Sequence, residues 1–229
     1  MSLPMPATLL GDLVGSRRVP DRAAVQTALL AALVRVDAQV PARQPLEPTI
    51  GDEFQGTYDD VADAVRASLL VRLMLLPLVD TRYGLGLGGV TVFEAGRSPV
   101  SQDGPGWWAA REAITQVSAR EGRRASARGT RTLLVDKSSE PWPQDTPVQP
   151  PAPAGLAAAI NAHLLVRDEV VSSMGERAQR LLLGWLLGRT QSELAEQEAI
   201  SQSAVSQALG RSGAYALRDA QDALAGTLR

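Results

Sequence analysis

Leu46-Glu-Pro-Thr-Ile-Gly-Asp-Glu-Phe-Gln-Gly-Thr-Tyr58 is the stretch that decides the fold. Its two strand-like arms, Leu46 to Ile50 and Phe54 to Tyr58, flank Gly51-Asp52, which predicts a β-hairpin whose turn presents Asp52 and Glu53. Upstream, Ala7 to Val14 is mostly apolar and stops at Gly15-Ser16, as a buried strand would, with Asp12 near its carboxyl end. Between strand and hairpin, Val25, Leu29, Leu33 and Val36 recur at the spacing of an amphipathic helix, with Asp21 as its cap.

Downstream of the hairpin the pattern repeats. Asp59 or Asp60 caps a helix through Val61, Val65, Leu69, Leu73 and Leu76, closed by Pro77, and a glycine-rich strand follows from Tyr83 to Phe93. The order strand, helix, strand, strand, helix, strand is that of an α+β, ferredoxin-like sheet. Asp103-Gly-Pro-Gly106 then opens a helix from Trp107 to Arg120, Thr130 to Val135 reads as an added strand, and Glu121 to Gly129 as a mobile loop.

Six prolines between 138 and 155 exclude a helix or a central strand there. The chain therefore divides into a sheet domain over 1–137, a linker over 138–155 and a helical domain over 156–229. A length of 229 residues accommodates two domains, and the formal charge of −2 with a pI near 5.5 gives no global signal for nucleic acid or membrane. With no cysteine and one histidine, His163, any metal has to be held by oxygen. No basic leader or long uninterrupted apolar run is present, which predicts a soluble, cytoplasmic protein without a membrane partner.

Two carboxylates on neighbouring strands approach closely only if a cation offsets their repulsion or one takes up a proton. Asp12 and Asp52, with Glu53 beside them, are thus candidate ligands for Mg²⁺, a hard ion that is usually completed by water and substrate phosphates. The plainer alternative is that Asp52 serves a tight turn and Asp12 accepts backbone hydrogen bonds at a strand end. Gly84-Leu-Gly-Leu-Gly-Gly89 lacks the lysine and following helix of a phosphate loop, so it reads as a strand beneath a closely packed helix or ligand. Trp107-Trp108 is read as a helix face covering the sheet, with base stacking as the alternative.

Gly11-Asp-Leu-Val-Gly-Ser-Arg17, Gly51-Asp-Glu-Phe-Gln55, Gly84 to Gly89 and Asp103-Gly through Ala110-Arg111 together resemble the SatD family over roughly residues 7 to 135. Gly51-Asp-Glu-Phe54 is also similar to the hairpin of diguanylate cyclases, which share the palm-type fold of nucleotide cyclases and many polymerases. That likeness implies a palm-like domain with metal ligands at Asp12 and Asp52 and the carbonyl of Leu13 as an extra one. The chain departs from the cyclase pattern in having Ile50 before Gly51 and no lysine before Lys137. Arg17, Arg18 and Arg111 are left to pair with a bound nucleotide's phosphates.

In the helical domain, Thr190 to Leu209 has the layout of a helix-turn-helix spanning 190–212. Thr190 and Glu193 form a capping box, and Leu194, Ala195, Ile200, Val205 and Leu209 supply the apolar contacts between two short helices. The segment is similar to the recognition helices of sigma-factor-like and MarR-like regulators. That resemblance implies DNA contact through Gln202, Ser203, Ser206, Gln207 and Arg211, with Arg189 and Thr190 near the phosphate backbone. Six arginines against six acids from Gly175 to Arg229 leave the segment neutral, so a helical oligomerisation domain is the alternative.

The leading expectation is a DNA-binding transcriptional regulator, with DNA as its partner and a homodimer as its arrangement, whose palm-like domain senses a nucleotide or divalent metal. The rival is a metal-dependent nucleotidyl transferase or nucleotide cyclase.

Overall fold

A computed structural model describes residues 5–76, 78–94, 96, 99, 101–121, 129–142 and 151–226, with Arg17 described by its backbone alone. The central sheet contains β1 (Ala7–Leu13), β2 (Gln44–Pro48), β3 (Phe54–Tyr58), β4 (Thr81–Leu87) and β7 (Thr132–Asp136) in the order β2-β3-β1-β4-β7. The pairs β1–β3, β1–β4 and β2–β3 are antiparallel, the ferredoxin-like arrangement, and β7 adds to β4 in parallel, making the sheet mixed. The strand expected from Tyr83 to Phe93 is two: after β4, β5 (Thr91–Glu94) leaves the sheet to pair with β6 (Ser101–Asp103).

Helices α1 (Arg22–Asp37) and α2 (Val61–Leu75) start where short polar side chains satisfy free N–H groups. The Asp21 carboxylate accepts from Ala24 N–H and that of Asp60 from Ala62 N–H, each at 2.9 Å. Both helices pack on the face presented by Leu9, Leu13, Phe54, Tyr83, Leu85 and Leu87. α3 (Pro105–Arg120) covers the opposite face, where Trp107, Ala110 and Ile114 pack on Leu10. Its close approach explains the glycines of β4. A Cβ on Gly84 would collide with the carbonyl oxygen of Ala110, and one on Gly86 with that of Gly106. Thr8 ties the layers together, its hydroxyl donating to Gly106 O at 2.7 Å and Gly86 O at 3.2 Å.

Past the proline-rich segment, of which 143–150 lie outside the described residues, come α4 (Leu156–Ser173), α5 (Glu176–Leu186), α6 (Gln191–Glu198), α7 (Gln202–Arg211) and α8 (Ala214–Leu224). Residues 122–128 of the loop expected to be mobile also lie outside the described residues. Of the five helices, α5 and α8 pack on α2, α4 packs on β7, and α6 and α7 pack on α5. Leu69 and Leu73 of α2 share a core with Val171, Leu181, Leu194, Val205, Leu209 and Leu217, while Ile160 and Leu164 of α4 join the core beneath the sheet. Asn161 covers the edge strand β7, accepting from Leu134 N–H and donating to Leu134 O, both at 2.8 Å.

Where α4 meets the sheet, polar groups replace apolar ones. Arg72, Arg167 and Asp168 are each at most 1% exposed. Arg167 pairs with Asp168 at 2.9 Å and donates to Thr132 Oγ1, Ser68 Oγ and Val65 O. Asp80 bridges Arg72 at 2.9 Å and Arg131 at 2.6 Å. No helix among the described residues is long and apolar enough to cross a membrane.

Candidate functional site

Each acid of the expected constellation lies on or beside the β1–β3 pair, and each has a different partner. Asp12 sits opposite Arg82 of β4. Both its oxygens are engaged, by Arg82 Nε at 2.8 Å and Nη2 at 2.9 Å, the bidentate form that is strong and directional. Arg82 extends the network to Ser118 at 3.0 Å and Glu121 at 2.9 Å. Burial works against the guanidinium's charge, but Asp12 and Glu121 outweigh it and push its pKa up.

Glu53 lies just beyond the Gly11–Phe54 pair and grips Arg111 of α3 through two hydrogen bonds of 2.9 Å. Hydrogen bonding by Glu53 raises the Arg111 pKa, and the charge of Asp12 contributes as well. The structure thus joins an expected metal ligand to an expected nucleotide ligand. The other two arginines named for that role, Arg17 and Arg18, lie in a one-turn 3₁₀ helix (Ser16–Arg18); Arg18 is exposed, and the side chain of Arg17 lies outside the described residues.

Asp52 occupies the turn itself, reached through Gly51, whose φ of 78° is left-handed and favours glycine. Its carboxylate accepts a hydrogen bond from Ser16 Oγ, linking the hairpin to the turn after β1. That turn has a left-handed glycine of its own, Gly15, with φ of 68°. The two turns enclose a cleft of about 400 Å³ lined by Leu13, Ser16, Arg22, Ala23, Val25, Gln26, Gly51 and Asp52. The amino end of α1 opens into it. Asp21 takes the N–H groups of Ala24 and Val25, and those of Arg22 and Ala23 have no partner among the described residues.

The donor set bears on a metal in two ways. Both Asp12 oxygens accept from Arg82 and keep a lone pair each, so that pairing does not bar a metal, but Asp12 is not among the residues lining the cleft beside Asp52. Among the described residues no group of three or more His, Asp or Glu side chains gathers in a form able to hold a metal. Asp52, whose described partner is a neutral hydroxyl, is the acid that faces the cleft. Ser16, Arg22 and Arg82 are functional candidates that sequence reasoning passed over. Ser16 and Arg22 lie in the β1–α1 connection, four and ten residues after Asp12, while Arg82 becomes visible only when the β1–β4 register is known.

Across the sheet, Leu10, Gln55, Gln102, Trp107, Trp108 and Arg111 line a second recess of about 300 Å³. Trp107 is buried against Leu10. Trp108 is half-exposed, donates to Asp103 at 2.8 Å and packs edge-on against Trp142 at 5.1 Å.

In the helical segment, Thr190 and Glu193 form the expected capping box, with Thr190 N–H donating to Glu193 at 2.7 Å and Glu193 N–H to Thr190 Oγ1 at 3.2 Å. The Thr190 N–H and, at 2.8 Å, the Thr190 hydroxyl donate to the Glu193 carboxylate and hold it below its ordinary value. Ala199, where a glycine is usual, adopts φ of 52°, the one non-glycine residue at positive φ among those described. Ser201 caps α7 by accepting from Ala204 N–H at 3.2 Å. Gln202, Ser203, Gln207 and Arg211 are exposed, Ser206 is half-buried beside Tyr215, and Arg189 donates to Gln197.

Among known proteins, the family model of SatD, described as "SatD family", matches residues 7–132, more than half of the chain. No curated protein matches. Solved structures with likeness include a bacterial light-regulated adenylyl cyclase, at 15% identity and a TM-score of 0.41, covering 52% of this chain and 41% of that one. A second structure of a bacterial light-regulated adenylyl cyclase is 15% identical with a TM-score of 0.40, over 58% of this chain and 76% of that one. The catalytic core of a rhodopsin-guanylyl cyclase with converted specificity, in complex with ATPαS, is 18% identical with a TM-score of 0.40, over 49% and 72%.

Proposed function

We propose, for a chain that belongs to the SatD family, that the sheet domain binds the phosphates of a nucleotide in the cleft between the β1–α1 turn and the β2–β3 turn. The observation that carries this reading is the convergence there of two N–H groups at the start of α1 without partners among the described residues, the Ser16 hydroxyl and Arg22. Anions are favoured at such a helix start because free N–H groups and the helix dipole point at them. Arg17, next to Ser16, belongs to the same proposal. Arg111 enters it only by exchanging Glu53 for phosphate.

Mg²⁺ would enter with the phosphates and be held by Asp52 and water, since this ion needs only one or two protein carboxylates. Turnover by a nucleotidyl transferase or cyclase demands more, namely that Asp12 ligate the metal together with Asp52. Calorimetric titration of the intact chain with ATP and GTP in Mg²⁺ tests the reading. Arg22→Gln weakens binding about tenfold, the loss of one charge-assisted contact, and Arg82→Gln leaves it unchanged. Absence of binding, or an Arg22→Gln affinity equal to wild type, overturns it. A Mg²⁺-dependent product abolished by Asp12→Asn and by Asp52→Asn establishes the enzyme instead.

A second reading concerns α7. Its residues from Gln202 to Arg211 include no acid, so its exposed face carries Gln, Ser and Arg groups suited to base edges and phosphates. The acids of α6 are partly withdrawn, Glu198 onto Arg180 at 2.7 Å and Glu193 into the capping box. This supports DNA contact by α7, and in a homodimer two such helices would meet successive half-sites. Gln207→Ala and Arg211→Ala each lower affinity for the cognate operator about tenfold, the cost of a lost base contact. Unchanged operator binding by both variants removes α7 from the groove.

A further inference from the structure

The buried side of α1, formed by Val25, Leu29, Ala32, Leu33 and Val36, packs into the core beneath the sheet. A helix that meets water on its other side carries polar residues there. On α1 that side is instead Ala23, Ala24, Thr27, Leu30, Ala31 and Val34, all exposed, with Leu30 at 42% and Val34 at 72%. No charged side chain interrupts this stripe over about three turns. Exposed apolar residues are ordinary when scattered, but a continuous strip along one helix marks a contact surface.

The charges on its flank indicate what covers it. Asp21 and Arg35 are exposed, and no described residue lies within ion-pair distance of either. Their separation is close to four helical turns, so both lie on one flank of the stripe, about 21 Å apart. A second α1 laid antiparallel over the stripe, with a two-fold axis level with Ala28, sets Arg35 of each copy beside Asp21 of the other. That direction also opposes the two helix dipoles favourably. A parallel pair would set Arg35 level with Arg35 and Asp21 level with Asp21, and like charges disfavour it.

The antiparallel register fits by size as well. It brings Val34 onto the partner's Ala23, sets Ala24 against the partner's Ala31, and gathers Thr27 and Leu30 of both copies about the axis. Small residues at the crossing let helix axes approach to about 8 Å. Arg22 and Gln26, which line the phosphate cleft, lie on the other flank, so the pairing leaves that cleft open.

We propose that the exposed face of α1 is an isologous interface for a second copy of this chain, closed as an antiparallel helix pair. Two-fold symmetry repeats every contact, so the Arg35–Asp21 pair forms twice. These rim charges set direction, and the apolar stripe supplies affinity. One helix pair is at the small end of interface sizes, so the dimer is reversible, with a Kd on the order of 10 µM.

Sedimentation velocity on the intact chain, from about 1 to 200 µM, shows monomer giving way to dimer. Val34→Glu keeps native circular dichroism and Tm, because its site is exposed, and is monomeric throughout. Arg35→Glu, which sets an acid beside the partner's Asp21, weakens dimerisation about tenfold. The chain has no cysteine, so single introduced thiols report the register. Under mild oxidation Thr27→Cys forms a disulfide-linked dimer, since the axis brings its two copies together. Ala38→Cys, on the same face but about 30 Å from its own copy, does not. A chain monomeric at every concentration overturns the proposal, as does a dimer that Val34→Glu leaves intact. Equal cross-linking of the two cysteine variants overturns the antiparallel pairing. Val34→Glu leaves nucleotide binding unchanged, so this interface and the phosphate cleft stand or fall separately.

Discussion

Asp168→Asn lowers the unfolding free energy by about 3–5 kcal/mol, the cost of removing one charge from a buried ion-pair network. The substitution keeps the shape and removes the carboxylate that pairs with Arg167, while Arg72 and Arg131 keep Asp80. Arg72 and Arg167 are 1% exposed, so solvent cannot take over the lost charge. It also weakens the acceptor for Arg131 N–H, which Asp168 Oδ2 bonds at 2.8 Å. Urea denaturation measures this as a lower midpoint at unchanged slope. Asp59→Asn, at the exposed Arg43–Asp59 pair, costs at most about 1 kcal/mol. A loss below about 1 kcal/mol for Asp168→Asn contradicts the role given to the network.

The same network sets the acid limit. Burial favours the protonated form of Asp80, but Arg72 and Arg131 outweigh it and hold the carboxyl below its ordinary value of 3.8. A depressed carboxyl contributes stability that is present above 3.8 and is lost as pH falls through the folded-state value. Burial also lowers the His163 pKa below 6.5, so its contribution is complete above 6.5 and declines as pH falls beneath it.

Gly86→Ala destabilises the fold by about 3 kcal/mol, the upper part of the range for overpacking. The added methyl meets the carbonyl oxygen of Gly106 and the amide of Ala110, which are backbone groups that cannot swing aside. α3 has to lift from the sheet, breaking the 2.7 Å bond from Thr8 to Gly106 O. Gly175→Ala is the control: its Cβ meets nothing within 4 Å and its φ of −72° suits any residue. Thermal melts of the two variants separate close packing from a general intolerance of glycine replacement. A Gly86→Ala variant as stable as Gly175→Ala would mean that α3 does not rest on β4.

Local order was legible because it depends on near neighbours. The spacing of Val25, Leu29, Leu33 and Val36, the caps Asp21 and Asp60, the hairpin about Gly51 and the box at Thr190 all appear as local chemistry predicts. What depends on distant pairing was not legible. Nothing near Asp12 reveals that β4 brings Arg82 opposite it, 70 residues later. Alternating leucine and glycine announce a close neighbour above β4 without saying that α3 covers the face opposite α1 and α2. Arg72, Arg167 and Asp168 read locally as polar positions of exposed helices, and only the docking of α4 makes them a buried network. The site shares this division: Asp52 was visible as a turn residue, whereas its bond to Ser16 and the cleft between the turns exist only in the assembled fold.

The most direct test of the central claim is a crystal structure of the chain with a non-hydrolysable nucleoside triphosphate and Mg²⁺. The account predicts phosphate oxygens at about 2.9 Å from the N–H groups of Arg22 and Ala23, with Arg22 turned onto them and Asp12 still paired with Arg82. A nucleotide seated elsewhere, or none bound at saturating concentration, contradicts it.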